Sequence, residues 1–172
     1  MKLTAALLLA AMSLAASAVA QEAAAPKCPE DAKPLPADLA AWTTRKPLAA
    51  VGDPAKLGEA VLKPGAAVDA AMLPTPEVNY PARPANPGGK VSRGGLLRLT
   101  IDHAATYHVA ISTHSWIDVV VDGKAAESIA HGPGPACSGI RKVVDYALPT
   151  GELVLQLSAG DKETTAILVA EK

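Results

Sequence analysis

Residues 106–142 read TYHVAISTHSWIDVVVDGKAAESIAHGPGPACSGIRK. Inside this stretch, the β-branched run of residues 116–121 is followed directly by Asp122 and Gly123. Asp-Gly between two extended segments is typical of a two-residue type I′ loop, because both central residues of that turn need positive φ. The stretch therefore predicts a β-hairpin in which residues 116–121 pair with residues 125–131.

The two-residue loop also sets the register of the predicted hairpin. In this register Asp118 lies opposite Glu127, and His114 lies opposite His131. Because side chains alternate along a strand, these four residues share one face with Trp116, while the aliphatic residues between them face the other way. We expect the aliphatic face to pack into the core. The polar face, with its central indole, is the candidate ligand-binding surface.

The same register bears on metal binding. Directly opposed residues have Cβ atoms about 4.5–5.5 Å apart, so His114 and His131 could share one iron or zinc ion. Asp118 and Glu127 lie four residues further along, about 13 Å away, and cannot reach that ion. A solvated histidine pair at the open end of the hairpin is the other interpretation. We expect no cofactor, with a metal at His114 and His131 as the alternative.

The first residues of the chain predict export. Residues 1–20 contain Lys2, an apolar middle, and the small residues Ala18 and Ala20, which is the pattern of a secretory signal peptide cleaved after Ala20. The apolar part is shorter than the ~20 residues that span a bilayer. We therefore expect a periplasmic or secreted protein with no transmembrane anchor after cleavage.

Length and charge restrict the remaining organisation. After cleavage the chain keeps 15 basic and 17 acidic residues, a balance that predicts neither nucleic acid nor an anionic membrane as a partner. About 150 residues suit a single hydrophobic core. We predict a flexible leader over residues 21–36 and one domain over residues 37–172.

Twelve of the fifteen prolines lie between residues 26 and 87, a density that disfavours long helices and central strands. This half is predicted to be extended, with a short helix at 36–42 and candidate strands at 59–62, 66–73 and 77–80. Strand patterns then follow at short intervals, with a second hairpin predicted at residues 149–151. These predicted strands are 96–101, 106–112, 116–121, 125–131, 140–148, 151–158 and 164–170. The fold class is an all-β antiparallel sandwich or jelly roll.

The chain has two cysteines, Cys28 and Cys137. In an exported protein they are expected to form a disulfide, which would attach the leader to the Gly- and Pro-rich loop 131–139. Two separate thiols, or metal ligation by Cys137 with His131, are the alternatives. The spacing matches no familiar zinc pattern.

Four segments carry a resemblance to known proteins: PANPGGKVSRGGLLRLTI, SWIDVVVDG, SIAHGPGPACSGIRKVVDYAL and GELVLQLS. They resemble small exported proteins of sphingomonad-type alphaproteobacteria over residues 42–172. That group is commonly labelled homogentisate 1,2-dioxygenase, which implies an iron-dependent ring-opening enzyme with two histidines and a glutamate on the metal. No residue here matches that ligand motif position by position, so the resemblance assigns no catalytic residue. The general plan is also similar to secreted pre-peptidase-type and carbohydrate-binding sandwiches.

From these observations we expect an exported, non-catalytic module that binds an unknown ligand or a cell-envelope component. The candidate binding residues are His114, Trp116, Asp118, Glu127 and His131. The alternative hypothesis is a metal-dependent enzyme, such as a homogentisate 1,2-dioxygenase-like dioxygenase, with His114 and His131 on the metal. The two hypotheses differ in whether these histidines meet a metal ion.

Overall fold

The computed structural model of the chain describes Cys28 and residues 33–172. The predicted signal peptide, residues 1–20, lies outside the described residues, as does most of the predicted leader. The described residues form twelve β-strands in two six-stranded sheets, with three short 3₁₀-helices. The predicted all-β sandwich is confirmed. In the described residues, no helix is long and apolar enough to cross a membrane.

The strands are numbered in chain order. They are β1 Arg45–Ala49, β2 Val61–Leu62, β3 Ala67–Ala71, β4 Leu73–Pro74, β5 Arg93–Ile101, β6 Ala105–Ile111, β7 Trp116–Val121, β8 Lys124–Ala125, β9 Ser128–Gly132, β10 Lys142–Leu148, β11 Gly151–Gly160 and β12 Thr164–Glu171. The 3₁₀-helices are Ala37–Thr43, Pro54–Glu59 and Thr75–Glu77. The candidate strand at residues 77–80 is wrong, because residue 77 ends the third helix and residues 78–80 belong to no strand.

One sheet, which we call sheet A, has the order β1-β3-β12-β6-β10-β9. The other, sheet B, has the order β2-β5-β11-β7-β8, with β4 beside β5. Neighbours are antiparallel except β1–β3 and β2–β5. From β5 to β12 the chain changes sheet at every connection except β7–β8 and β9–β10. The predicted hairpin at residues 149–151 is therefore wrong: β10 and β11 lie in different sheets, because a short turn reverses the chain without requiring the two strands to pair.

The Asp122-Gly123 hairpin forms as predicted at its closed end. Asp122 and Gly123 have φ values of 48° and 76°, and Val121 pairs with Lys124. Pairing stops after the bond from the amide of Ala126 to the carbonyl of Val119, 2.8 Å. The chain then crosses to sheet A, where β9 pairs with β10.

This crossing overturns the rest of the predicted register. His131 lies opposite Val144 rather than His114, and residue 128 lies opposite Tyr146. The predicted ladder pair of Asp118 and Glu127 does not form either, since the β7–β8 ladder has ended before that point. The physical reason is that β9 hydrogen-bonds to β10 instead of β7. The chemistry of the Asp122-Gly123 turn acts only locally and cannot predict this competing partner.

The core lies between the two sheets. Phenylalanine is absent, so leucine, isoleucine and valine fill this space. Leu97, Leu99, Val109, Leu155 and Ile167 are fully buried there. The aromatic residues at positions 107 and 146 add their rings to the same cluster. The predicted inward direction of the aliphatic residues of β7 is confirmed by the burial of its residues 117 and 119.

The N-terminal 3₁₀-helix covers the outer face of sheet A. Leu39 and Trp42 are buried against small and aliphatic residues of β6 and β12. The indole nitrogen of Trp42 donates to the carbonyl of Ser138, 2.9 Å away. The predicted disulfide between Cys28 and Cys137 is present, with their Cα atoms 5.6 Å apart. The N-terminal segment is thus attached to the loop before β10.

The proline-rich segment covers the outer face of sheet B through side-chain hydrogen bonds. Tyr80 donates its hydroxyl to the carbonyl of Leu157 at 3.1 Å. Gln156 donates to the carbonyl of Ala82, 3.1 Å, and Ser158 donates to that of residue 86, 2.7 Å. Since prolines lack the amide hydrogen that a ladder needs, this segment can pack on the sheet without adding a strand to it.

Candidate functional site

The first residues of β7 have a strand neighbour on one side only among the described strands. Because β9 has crossed to sheet A, the first residues of β7 pair only with β11 among the described strands. Two side chains of β10 reach across instead. The hydroxyl of Tyr146 donates to the carbonyl of Ile117 at 2.9 Å, and the ammonium of Lys142 donates to the carbonyl of Ser115 at 2.8 Å. Two carbonyls on the side of β7 that pairs with β8 are therefore satisfied by side chains.

A cavity of about 240 Å³ opens beside these bonds, and we call it the Trp116 cleft. Its lining residues come from β7, β9, β10 and the β8–β9 connection. They are Trp116, Ile117, Asp118, Ala126, Ser128, His131, Lys142, Val144 and Tyr146. Lys142, Val144 and Tyr146 alternate along β10 and so share the face that looks into the cleft. His131 joins them because it lies opposite Val144 in the ladder.

Trp116 forms one wall of the cleft. Its side chain is held at two points: the indole nitrogen donates to Asp118 at 2.9 Å, and the ammonium of Lys142 lies 6.0 Å from the ring centroid. A cation at that distance from an indole face is attracted by the ring quadrupole. The residue nevertheless remains 40% exposed. The cleft therefore offers a positioned aromatic surface to solvent.

Asp118 is more buried than expected for a residue on the predicted polar face of the hairpin. It is only 7% exposed. One carboxylate oxygen accepts from Trp116 and the other from the amide of Gln156, 3.1 Å away. Gln156 is itself covered by the proline-rich segment, to which it donates through Ala82. Asp118 thus connects the indole to the buried outer face of sheet B, and this connection orients the ring.

Tyr146 forms part of the floor. Burial raises the pKa of its hydroxyl well above the ordinary value, and the charge of Asp118 acts in the same direction. The hydroxyl therefore stays protonated and serves as the donor to Ile117. No feature of the local sequence pattern around residue 146 connects it with residue 117, so sequence reasoning missed this contact.

A second groove of about 480 Å³ adjoins the Trp116 cleft, and we call it the His114 groove. The two share His131 and Lys142. Its lining residues are Thr113, His114, Ser115, His131, Gly132, Pro133, Arg141 and Lys142. Burial, and then the charge of Arg141, lower the pKa of Lys142, while the charge of Asp118 acts in the opposite direction.

The structure brings some of the predicted site residues together and separates others. Trp116, Asp118 and His131 line the cleft, and His114 and His131 line the adjoining groove. Glu127 is exposed and lines neither of them. The basic pair at residues 141–142 was missed. Its visible signal was two adjacent cations at the start of a strand.

The surroundings of the two histidines do not favour a metal centre. The guanidinium of Arg141 contacts Nε2 of His114, which places a positive charge at the ring nitrogen that would hold a cation. The amide of His114 donates to the carboxylate of Asp161, 3.2 Å away. Across Cys28 and residues 33–172, no three His, Cys, Asp or Glu side chains form a group that could hold a metal ion. Iron implied by the resemblance therefore does not fit these residues.

The histidine at position 108 belongs to a separate polar cluster on the outer face of sheet A. Its Nδ1 lies 2.5 Å from Asp145, and its Nε2 lies 3.1 Å from Asp38 of the N-terminal 3₁₀-helix. Lys172 pairs with the other oxygen of Asp145 at 2.9 Å. The cluster connects the 3₁₀-helix, β6, β10 and Lys172, and its role is structural.

Comparisons of the chain with protein-family models, with curated proteins and with solved structures find no match. A function is therefore proposed from the chemistry of the Trp116 cleft and the His114 groove alone. Together they present an indole surface, hydrogen-bonding side chains and a local excess of basic groups.

Proposed function

We propose that the protein is an exported, non-catalytic binding module that holds a small polar ring, such as one sugar unit of an envelope glycan, in the Trp116 cleft. The observation that carries the proposal is the fixed, partly exposed indole beside polar side chains. Tryptophan combines a large apolar surface with a single polar hydrogen, which suits recognition of a ring that is itself both apolar and polar.

The size of the cleft supports a ligand of this kind. Drug-sized ligands occupy pockets of about 300–1,000 Å³, so a cavity of about 240 Å³ suits a smaller molecule or one unit of a longer chain. The floor contributes apolar contacts from Ile117 and Val144. His131, Ser128 and Lys142 supply polar atoms at the rim. Small-molecule sites usually have this composition, with a small number of polar groups around an apolar floor.

Binding without catalysis is favoured by the state of the one carboxylate that lines the cleft. Both oxygens of Asp118 are engaged, one by Trp116 and one by Gln156. A general base must instead reach a proton of the substrate. The role we infer for Asp118 is therefore to position the indole.

Export is part of the proposal. The disulfide between Cys28 and Cys137 is consistent with an oxidising compartment. The predicted signal peptide supports the same location, periplasmic or secreted. An envelope glycan would be the sugar-containing material within reach of the protein there.

The test is a screen of the purified mature protein against immobilised envelope glycans, followed by titration of the bound glycans. We expect Trp116→Ala to weaken binding at least about tenfold, since the indole is the main contact surface and truncation of such a tryptophan commonly costs that much affinity. Ile129→Ala is the matched control, because Ile129 is 59% exposed on neighbouring β9 but does not line the cleft. Unchanged binding by Trp116→Ala would contradict the proposal.

A further inference from the structure

We infer that the His114 groove is an anion subsite, and that the ligand is an acidic sugar bearing a carboxylate or a phosphate. This inference rests on the proposed function, because it assigns a chemical class to the ligand of the Trp116 cleft. It adds a second contact region: the ring lies on the indole, and its anionic group lies in the His114 groove.

The groove concentrates basic side chains on one side of the cleft. Arg141, Lys142, His114 and His131 all line it, and its lining includes no Asp or Glu. Lys142 and His131 also line the Trp116 cleft, so the two regions are continuous. A ligand that contacts Trp116 would therefore lie next to the basic side chains that line the groove.

The two cations of the groove differ from several other basic residues of the chain. Arg45, Arg98 and Lys172 each pair with a carboxylate, at distances of 2.9–3.1 Å. Among the described residues, neither Arg141 nor Lys142 has a carboxylate within ion-pair distance. Two adjacent cations that form no ion pair repel each other, so an anion placed between them is favoured.

Two carboxylates close to the cleft and the groove already accept hydrogen bonds from other groups. Asp161 accepts from the main-chain amide of His114, and Asp118 accepts from Trp116 and Gln156. Asp118 partly offsets the charge of Lys142, as the direction of its effect on the lysine pKa shows. Among the described residues, Arg141 forms no ion pair with a carboxylate, and the one side chain to which its guanidinium hydrogen-bonds is His114. The groove therefore keeps uncompensated positive charge at Arg141.

Geometry connects this charge to the sugar ring. The ammonium of Lys142 lies 6.0 Å from the centroid of Trp116 and is held there by its bond to the carbonyl of Ser115. A ring on the exposed part of the indole would carry its substituents towards Lys142 and, one residue earlier, Arg141. Guanidinium groups bind carboxylate and phosphate through paired hydrogen bonds, which gives this position selectivity for acids.

The experiment uses pairs of probes that differ in charge. Tri-galacturonate is compared with its methyl ester, which keeps the ring and removes the negative charge. Glucose 6-phosphate is compared with glucose, and inorganic phosphate alone is the fifth probe. Binding to the disulfide-bonded mature protein is measured by calorimetry at low and high salt.

We expect one acidic probe to bind at least about tenfold more tightly than its neutral partner, and added salt to weaken that binding. Arg141→Gln should remove most of this preference, because it removes the positive charge that would bind the anion. Arg141 is exposed, so we expect the replacement to leave the fold intact. Lys124→Gln is the matched control: it removes one exposed positive charge from β8, outside the groove. Binding of tri-galacturonate would identify a carboxylate as the anionic group, and binding of glucose 6-phosphate would identify a phosphate. If inorganic phosphate bound tightly and none of the sugars did, the result would contradict a sugar ligand.

The outcomes separate this inference from the proposed function. Equal binding of acidic and neutral probes, lost in Trp116→Ala, would overturn the anion subsite and leave the binding module standing. Acid-selective binding that needs Arg141 but not Trp116 would support the subsite and contradict the role of the cleft. Absence of binding by every probe would overturn the acidic-sugar assignment.

Discussion

The hydroxyl of Tyr146 on sheet A donates to the main-chain carbonyl of Ile117 on sheet B, 2.9 Å away. The bond joins the two sheets beside the part of β7 that has no β8 or β9 partner. It satisfies a carbonyl that a continued β8–β9 strand would otherwise have paired, and it holds the floor of the Trp116 cleft. A single side chain thus takes the place of a ladder bond.

Removal of that hydroxyl should destabilise the fold and loosen the cleft. Tyr146→Phe leaves the carbonyl of Ile117 buried without a donor, and we expect a loss of about 1–3 kcal/mol in the free energy of unfolding. Urea unfolding measures the loss. Tyr80→Phe is the control, since Tyr80 also donates to a carbonyl on sheet B but lies outside the cleft. Both variants should be less stable than the parent, but only Tyr146→Phe should weaken ligand binding. Equal binding by the two variants would show that the hydroxyl of Tyr146 does not hold the floor of the cleft.

The cluster around Asp145 predicts the acid limit of stability. Burial raises the pKa of Asp145. The hydrogen bonds from Lys172 and His108, together with the charges of these two residues, lower the pKa by more than burial raises it, so the net pKa lies below the usual 3.8. A carboxyl with a depressed pKa contributes stability that is fully present above pH 3.8 and is lost as pH falls through the lower folded-state pKa.

Asp145→Asn should therefore be less stable than the parent at pH 7, by about 2 kcal/mol for the lost charge-assisted bonds. Below pH 3.8 the difference should narrow, since the parent then loses the same contribution. Thermal unfolding from pH 2 to 7 measures both effects. Glu152→Gln, which breaks an exposed pair with Arg98, should change stability little. A constant difference across the pH range would rule out Asp145 as the source.

Loss of the disulfide should lower stability through the unfolded chain. The bridge closes a loop across 109 positions of the sequence, and removal of native disulfides of small secreted domains costs about 2–5 kcal/mol. Cys137→Ser is expected to unfold at a lower denaturant concentration than the parent. Reducing agent should bring the parent to the same midpoint and leave the variant unchanged. A parent that does not respond to reductant would show that the bridge does not form in solution.

Metal binding separates the two hypotheses raised by the sequence. Because Arg141 contacts the ring of His114 and the described residues lack a three-ligand group, we expect added Fe²⁺ or Zn²⁺ to leave the melting temperature unchanged. Chelator should likewise have no effect. Elemental analysis of protein purified without chelator is the direct measurement. Stoichiometric metal that disappears in His114→Ala or His131→Ala would revive the metal-dependent enzyme.

Much of the strand content could be predicted from the sequence. Trp116–Val121 is a strand as predicted, and Asp122 and Gly123 adopt the positive φ values that a type I′ loop needs. Turn chemistry and β-branched alternation act over a few residues, so they are visible in the chain itself. The cysteine pair was predictable for a simpler reason: Cys28 and Cys137 are the two cysteines of the sequence, so each has only the other as an intramolecular partner.

The site depended on information that no local pattern contains. After Ala125 the sequence is compatible with continued pairing along β7, but β10 provides a competing ladder, and His131 pairs opposite Val144 instead. This choice opened the cleft and brought Lys142 beside Trp116. It also separated Glu127 from the predicted surface.

The sequence by itself determined where most of the strands from β5 onward lie, how the chain turns at Asp122-Gly123, and which residues of a strand such as β7 share a face. The tertiary structure alone decided which sheet each strand joins, and therefore which side chains meet in the cleft. The physical reason is range. Backbone preferences are set by neighbouring residues, whereas a strand chooses its partner by comparing ladders and core packing offered by segments far away in the chain.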